Sequence, residues 1–366
     1  MNGRVKSGAV PGLKANRKQA HTKAIRSLKS VRSTDLNMEG QAKTMTRLRT
    51  EWLENAAEDL KRYDGKLKKL IGMDLSALAL RAAAASYAST ASYASAASRA
   101  LSSNCALSAG CAPPPAPVSA SFRMKDCKVA VVRVATGEGV IGCFAESVAA
   151  ATTYMGAETF IPSASDVAGL HEALSAGADI LFLADDDRFI ALNVKNGIVA
   201  ENDDATAAGY VAALSAAAGG LSGKEVLLLG LGRLGQKALA YLLAEGASVC
   251  IYDCDGAKTT KFMQKIKKSA DASTATLGCR EGIRLLSARP HPLSGLIFDA
   301  TNTGEHLGAK DFSGAFLIAA PGMPLSLSDE AYRLYEDRVI HEPLYTGVAV
   351  MLAMACAPIV CAPAAV

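Results

Sequence analysis

The sequence predicts an α/β fold: a C-terminal domain with a parallel sheet and a smaller N-terminal α/β domain. Three observations predict it. Short continuous apolar runs such as VLLL at Val226–Leu229 and ILFL at Ile180–Leu183 have the length of strands buried on both faces. Segments with helical spacing alternate with them, as crossover connections between parallel strands require. One stretch, Lys224 to Asp255, reads as strand, glycine turn, helix, strand and terminal acid.

That stretch carries the most chemistry. Gly230, Gly232 and Gly235 stand in G-x-G-x-x-G spacing, with Leu231, Arg233 and Leu234 between them. The first glycine permits a tight turn, the second lets backbone approach a pyrophosphate, and the third lets helix pack on strand. The helix N-terminus offers free N–H groups and positive dipole to phosphate. The second strand, Ser248–Tyr252, ends in Asp253, placed to accept hydrogen bonds from ribose hydroxyls. The C-terminal domain is therefore expected to be a Rossmann domain binding NAD, with Asp253 favouring NAD over NADP.

The chain has 366 residues, room for about two domains. Half its residues are hydrophobic and few are aromatic, so the core is expected to be aliphatic. The net charge of +4 is an end effect: the first 50 residues carry many Lys and Arg against only Asp35 and Glu39. That asymmetry does not make the folded part a nucleic-acid binder. Nine scattered cysteines without a C-x-x-C pair fit neither a disulfide framework nor a zinc site, and point to a reducing compartment. No apolar leader opens the sequence, and the apolar run after Val348 is interrupted by Pro358 and Pro363. Neither a secretory signal nor a membrane span is expected, and the location is read as cytoplasmic.

In chain order, residues 1–46 read as a basic disordered arm. Residues 47–81 read as helices: Leu48, Trp52, Leu53 and Leu60 form a stripe that Leu67, Leu70 and Ile71 continue, and Asp74 caps a second helix. Residues 82–121, rich in Ala, Ser and Pro, read as an insertion or linker. Residues 122–204, with 47–81, form the N-terminal substrate domain. Within it Cys127–Val134 is a strand, and Gly137, Gly139 and Gly142 form a second glycine turn before a helix from about Phe144. No acid-ended strand follows at the right distance, so this turn is read as substrate-lining. Thr159–Ile161 and Asp179–Leu183 are strands, Ser165–Ala176 is a helix, and Asn196-Gly197 marks a hairpin between Phe189–Val194 and Gly197–Ala200.

Residues 205–355 form the Rossmann domain and 356–366 a tail. Ala205–Ala217 is a helix crossing between the two. After Asp253, Lys258–Ser269 is a basic helix, Leu296–Phe298 and Ala315–Ala319 are strands, Ser328–Arg338 is a helix, Val339-Ile340 is a last strand and Gly347–Cys356 a buried helix. Ligands in an open parallel sheet bind outside the carboxyl ends of strands. That rule nominates Ala300 and Thr301, Ala320 and Pro321, and Glu342 and Pro343 as the rim of the cofactor cleft.

Asp185-Asp186-Asp187 ends another strand. A strand-end carboxylate can pair with a substrate ammonium and orient it. A metal is not expected, because no nearby His or Cys completes a ligand set.

With these residues in view, the sequence resembles the PylD family of pyrrolysine-forming dehydrogenases. GEGVIG at Gly137–Gly142, LADD at Leu183–Asp186, NVKNG at Asn193–Gly197, LGLGRLG at Leu229–Gly235, APGMP at Ala320–Pro324 and HEPLYTG at His341–Gly347 carry the resemblance. It implies a cytoplasmic enzyme with NAD as cofactor and 3-methylornithyl-N6-lysine as a dipeptide-like substrate. A hydride would leave the carbon bearing the ornithine side-chain amine. Ammonia loss and ring closure would then give pyrrolysine and NADH. The resemblance assigns Asp185 to the substrate amine, with Asp186, Asn193, Gly139 and Ser147 on the substrate wall. Two positions depart from the family pattern: Asp187 intervenes before Arg188, and FAES follows the glycine turn where FSAS is expected. The alternatives are another NAD-dependent amino-acid or imine oxidoreductase, or a non-enzymatic NAD(H)-binding redox sensor. An oligomer is compatible with the sequence.

Overall fold

The computed structural model describes residues 38–102, 124–135, 143–262, 264 and 282–356, with side chains described at 55–88 and from 124 on within those ranges. The described residues fall into two units, residues 38–52 and those from 53 on. In the first unit, residues 38–52 are helical. Every described strand belongs to the second.

Helix α1 (Met38–Ile71) buries Leu60, Leu67 and Ile71 of the expected stripe and half-buries Leu70, while the side chains of Leu48, Trp52 and Leu53 lie outside the described residues. Its start lies nine residues before the expected boundary at Arg47. Helix α2 (Leu75–Ser102) is capped as expected, with the Ala77 N–H donating to Asp74 Oδ1 at 2.8 Å. It runs on through the Ala/Ser stretch, which is thus helix rather than linker up to Ser102. Alanine is the strongest helix former, so low complexity and helix coincide here. Residues 103–121 lie outside the described residues.

The first sheet comprises β1 (Lys128–Val132), β2 (Glu158–Phe160), β3 (Ile180–Ala184), β4 (Phe189–Asn193) and β5 (Val199–Glu201), in the order β2-β1-β3-β4-β5. The first three are parallel, and β4 and β5 add as an antiparallel meander through the expected hairpin. Helices α3 (Phe144–Tyr154) and α4 (Asp166–Ser175) supply the crossovers. Side-chain alternation in β1 divides the apolar residues between two cores. Val129 and Val131 join the main core with Val148 of α3, and Ala130 and Val132 pack with Ala173 of α4.

Helix α5 (Asn202–Ala217) leads to the second sheet. Its strands are β6 (Glu225–Leu229), β7 (Ser248–Tyr252), β8 (Ile283–Leu285), β9 (Leu293–Asp299), β10 (Phe312–Ala319) and β11 (Val339–Ile340), all parallel, in the order β11-β10-β9-β6-β7-β8. This is the doubly wound Rossmann order, with its switch point between β6 and β9. Helix α6 (Arg233–Ala244) follows β6, and residues 256–262 are helical after β7. The expected single helix Ser328–Arg338 is instead α7 (Asp329–Leu334) followed by a tighter turn at Glu336–Arg338. Strand β8, three residues on the sheet edge and largely exposed, had no apolar run to announce it.

Helix α8 (Tyr345–Ala355) is buried along nearly all its length, and α5 is buried on most of its surface. The two cross at very close range. A Cβ on Gly209 would lie 2.8 Å from Thr346 Cγ2, and one on Gly347 would lie 2.6 Å from Thr206 Oγ1. Both helices share one apolar core with α2, with Val129 and Val131 of the first sheet, and with Val226 and Leu228 of the second. No described helix is long and apolar enough to cross a membrane.

The crossing yields a prediction. Gly209→Val overpacks it and should lower unfolding free energy by about 1–3 kcal/mol, measured by urea denaturation. Unchanged stability would show that the helices separate without cost.

Candidate active site

Strand ends and helix starts from both sheets converge on a cleft of about 1080 Å³. One wall is the glycine turn. Gly230 adopts φ +84°, a left-handed conformation, and a Cβ there would sit 3.0 Å from the Ala300 carbonyl. A Cβ on Gly235 would lie 2.1 Å from the Gly230 carbonyl oxygen, so α6 can pack on β6 only without one. Gly232, by contrast, opens onto free space with nothing within 4 Å of where a Cβ would be. The three glycines thus divide the roles that their spacing suggested, and Gly232 is where a pyrophosphate could approach backbone. The first turn of α6 presents amides without intrahelical partners to the same space.

Asp253 closes this wall. Its Oδ2 accepts from the Leu231 N–H at 2.7 Å and its Oδ1 from the Asp255 N–H at 2.9 Å. Partial burial pushes its pKa up, but those two N–H groups, with the Lys258 ammonium 3.6 Å away, outweigh it and hold the carboxyl below the usual range. The acid therefore braces the glycine turn while remaining in the cleft lining. Ala300 and Thr301 line the cleft at the end of β9, with Thr301 fixed by Asp299, whose Oδ1 accepts from its N–H and hydroxyl at 3.0 and 2.7 Å.

The facing wall comes from the first sheet. Asp185 leaves β3 into the cleft, exposed, and its Oδ1 accepts from the N–H groups of Arg188 and Asp187 at 2.6 and 2.8 Å. Those bonds, Arg188 first, hold its carboxyl below the usual range. Phe144 and Phe189 meet edge to face at 5.1 Å beside it and give the wall an apolar shelf.

Glu342 sits at the back of the cleft. It is 8% exposed, and its two oxygens accept from the N–H groups of Leu344 and Thr346 at 2.9 and 3.1 Å, at the start of α8. Burial is the larger effect and raises its pKa to about 7 despite those bonds. Tyr210 of α5 fixes its backbone, accepting from the Glu342 N–H at 2.8 Å and donating to the Glu342 carbonyl.

Ten of the residues expected on the cofactor side line the cleft: Gly230, Gly232, Arg233, Leu234, Asp253, Ala300, Thr301, Pro321, Glu342 and Pro343. Leu231, Gly235 and Ala320 stand behind them, as a fully buried side chain, a packing glycine and a carbonyl that accepts from His341 Nδ1.

The substrate side needs correction. Asn193 is not at the cleft. It pairs with Ile180 at the opposite end of the sheet from Asp185. There its Oδ1 accepts from the Lys195 N–H and its Nδ2 donates to the Ala355 carbonyl, both structural bonds. Ser147 is buried in α3, its hydroxyl donating to the Cys143 carbonyl at 2.9 Å, and is not in the cleft lining. Its neighbour Glu146, at the departure from the family pattern, is buried against Arg133 at 2.9 Å. Asp186 lines a smaller hollow beside the cleft. Gly139, with the rest of its glycine turn, lies outside the described residues. The sequence reading missed Asn202, Asp203, Thr206 and Tyr210, which α5 carries into the cleft, and His306. The acidic-polar start of α5 was the only signal for the first of these.

Two outcomes are expected from this geometry. Asp253→Ala should raise the dissociation constant for NAD about 10- to 100-fold in calorimetry, with a far smaller effect on the melting point; equal NAD affinity would exclude the ribose role. Glu342 binds its proton more tightly folded than unfolded, so its contribution to stability is present below pH 4.5 and is lost as pH rises through about 7. Wild type should therefore lose up to about 3 kcal/mol relative to Glu342→Gln between pH 5 and 8, in denaturant titrations at each pH.

Residues 53–200 match the family model described as pyrrolysine biosynthesis protein PylD, N-terminal domain. The pyrrolysine synthases of Methanosarcina acetivorans and Methanosarcina barkeri are each 34% identical to the chain over 225 residues, which is 62% of this chain and 81% and 80% of theirs. Among solved structures, quinate dehydrogenase from Corynebacterium glutamicum in complex with NAD superposes with a TM-score of 0.39 at 14% identity, covering 62% of this chain and 90% of that one. An Ael1 enzyme from Pseudomonas putida gives 0.40 at 17% identity, with the same coverage. By its match to the two synthases across four-fifths of their length, the chain belongs to the pyrrolysine synthase family, PylD.

Proposed function

We propose that this chain is an NAD-dependent dehydrogenase that oxidises the carbon bearing the ornithine side-chain amine of 3-methylornithyl-N6-lysine, leading to pyrrolysine. One observation carries the reading. A single cleft has the glycine turn and Asp253 on one wall and the Asp185 carboxylate, with its aromatic shelf, on the other.

The fit to a dinucleotide rests on Gly232, whose missing side chain leaves backbone open, and on the adjoining first turn of α6. NAD, when bound there, supplies the hydride acceptor. The remaining work belongs to the chain's own residues. Asp185 stays anionic at neutral pH and takes a substrate ammonium in a charge-assisted hydrogen bond. Phe144 and Phe189 give the substrate's methylene chain an apolar surface. A carbon bearing a protonated amine does not release hydride, so a base must first take that proton. Glu342, its pKa raised to about 7, is in the range where a carboxylate exchanges protons at neutral pH. The two carboxyl groups thus divide into a fixed anion and a proton acceptor, as their different environments dictate. The resulting imine gives up ammonia through an aldehyde, and the backbone amine closes the ring.

The test is incubation of the full chain with NAD and 3-methylornithyl-N6-lysine. Mass spectrometry should show a product lighter by two hydrogens and one ammonia, with stoichiometric NADH absorbance. Asp185→Asn should lower kcat/KM roughly 100-fold or more while NADH still binds. Normal turnover by that variant would remove Asp185 from the mechanism, and no product from wild type would overturn the substrate.

A further inference from the structure

At the end of α8 remote from the cleft, two thiols from distant parts of the chain meet. Cys127 precedes β1 and Cys356 closes α8, and their Sγ atoms stand 3.2 Å apart. Neither lines the cleft. The surroundings hold the pair in place. Asn193 Nδ2 donates to the Ala355 carbonyl at 2.8 Å, and the Tyr87 hydroxyl donates to the Met354 carbonyl. On the other side Asp179 Oδ2 accepts from the Lys128 N–H at 2.8 Å and its Oδ1 pairs with Lys195 at 2.5 Å. Both thiols are part-exposed, so a small oxidant can reach them.

The two sulfurs are not equivalent. Across their 3.2 Å contact either thiol could donate to the other; with Cys127 as the thiolate, the Cys356 S–H is the donor, and this contact lowers the pKa of Cys127 and raises that of Cys356. Lys195 adds to the lowering at Cys127, while burial, Asp179 and Asp126 oppose it. Burial, the Cys127 charge and Asp179 add to the rise at Cys356. Cys127 is therefore the nucleophile of the pair and Cys356 the resolving thiol.

We propose that Cys127 and Cys356 form an oxidation site that a peroxide converts to an intramolecular disulfide, tying the start of the first sheet to the end of the last helix. The Cys127 thiolate attacks one oxygen of hydrogen peroxide and the O–O bond breaks. Cys127 becomes a sulfenic acid, and the departing hydroxide takes a proton to become water. The Cys356 sulfur then attacks the Cys127 sulfur, the S–O bond breaks, and hydroxide leaves with the Cys356 proton as a second water. The two sulfurs lose two electrons, and the peroxide gains them. The sulfurs need to close by only about 1 Å to reach bonding distance.

The experiment uses the full chain carrying Cys361→Ser, so that Cys356 is the sole cysteine of its tryptic peptide. The protein is treated with hydrogen peroxide, its remaining thiols are alkylated, and peptides are mapped by mass spectrometry. The expected result is loss of two alkylatable thiols, a mass lower by two hydrogens and a Cys127–Cys356 linked peptide, all reversed by dithiothreitol. The melting point of the oxidised protein should exceed that of the reduced protein by several degrees, and Cys127→Ser should show neither link nor rise. Full alkylation of both cysteines after peroxide, a sulfinic acid at either, or linkage to another cysteine would overturn the proposal. A link formed without a rise in melting point would overturn the tie as a constraint on the fold.

Discussion

The close crossing of α5 and α8 is the constraint on which the rest depends. Helix α8 has no polar face, and α5 has polar residues mainly at its start, so both must be covered along most of their length. Helices α2, α3 and α6, together with strands of both sheets, supply that cover, and the shared core follows. Glycine at 209 and 347 brings the helix backbones together where any side chain would intrude. Asn202, Thr206 and Gly347 stand at this crossing and also line the cleft. The position of the chemistry is therefore set by helix packing beneath it, and the facing walls inherit their separation from that contact.

The two acidic groups show how one cleft gives like residues unlike properties. Asp185 is exposed and receives two backbone N–H groups, which favours its charge. Glu342 also receives two, yet burial dominates and opposes its charge. The difference is solvent, not hydrogen-bond number. A helix start adds positive dipole near Glu342, and even that does not restore an ordinary carboxylate.

Much of the second sheet was legible in the sequence because its signals are local. A glycine turn, the strand before it and the acid after the next strand all lie within about thirty residues, and each is dictated by backbone geometry. The substrate wall was less legible because its geometry depends on strand pairing. Asn193 sits in a segment that marks the family, but the β3–β4 hairpin carries it to the end of the sheet opposite Asp185. An antiparallel partner reverses direction, so a residue at the far end of β4 returns to the start of β3. Beyond its polar start, the cleft face of α5 could not be read: Thr206 and Tyr210 are placed by the surfaces that α5 packs against, not by anything periodic in its sequence. The Ala/Ser run failed for another reason, because composition suggested a linker where helix propensity should have decided.

The last helix has a consequence for how the chain is made. Val129 and Val131 of the first sheet and Val148 of α3 share their core with Val348 to Ala355, at least two hundred residues later in the chain. On the ribosome the early strands emerge well before the helix that covers them. The apolar contacts that α8 supplies to them form only once Tyr345–Ala355 has been made, so the early half cannot complete its core before that segment emerges. A chain stopped before Tyr345 would leave the early half with an uncovered face, a ready surface for aggregation or for a chaperone.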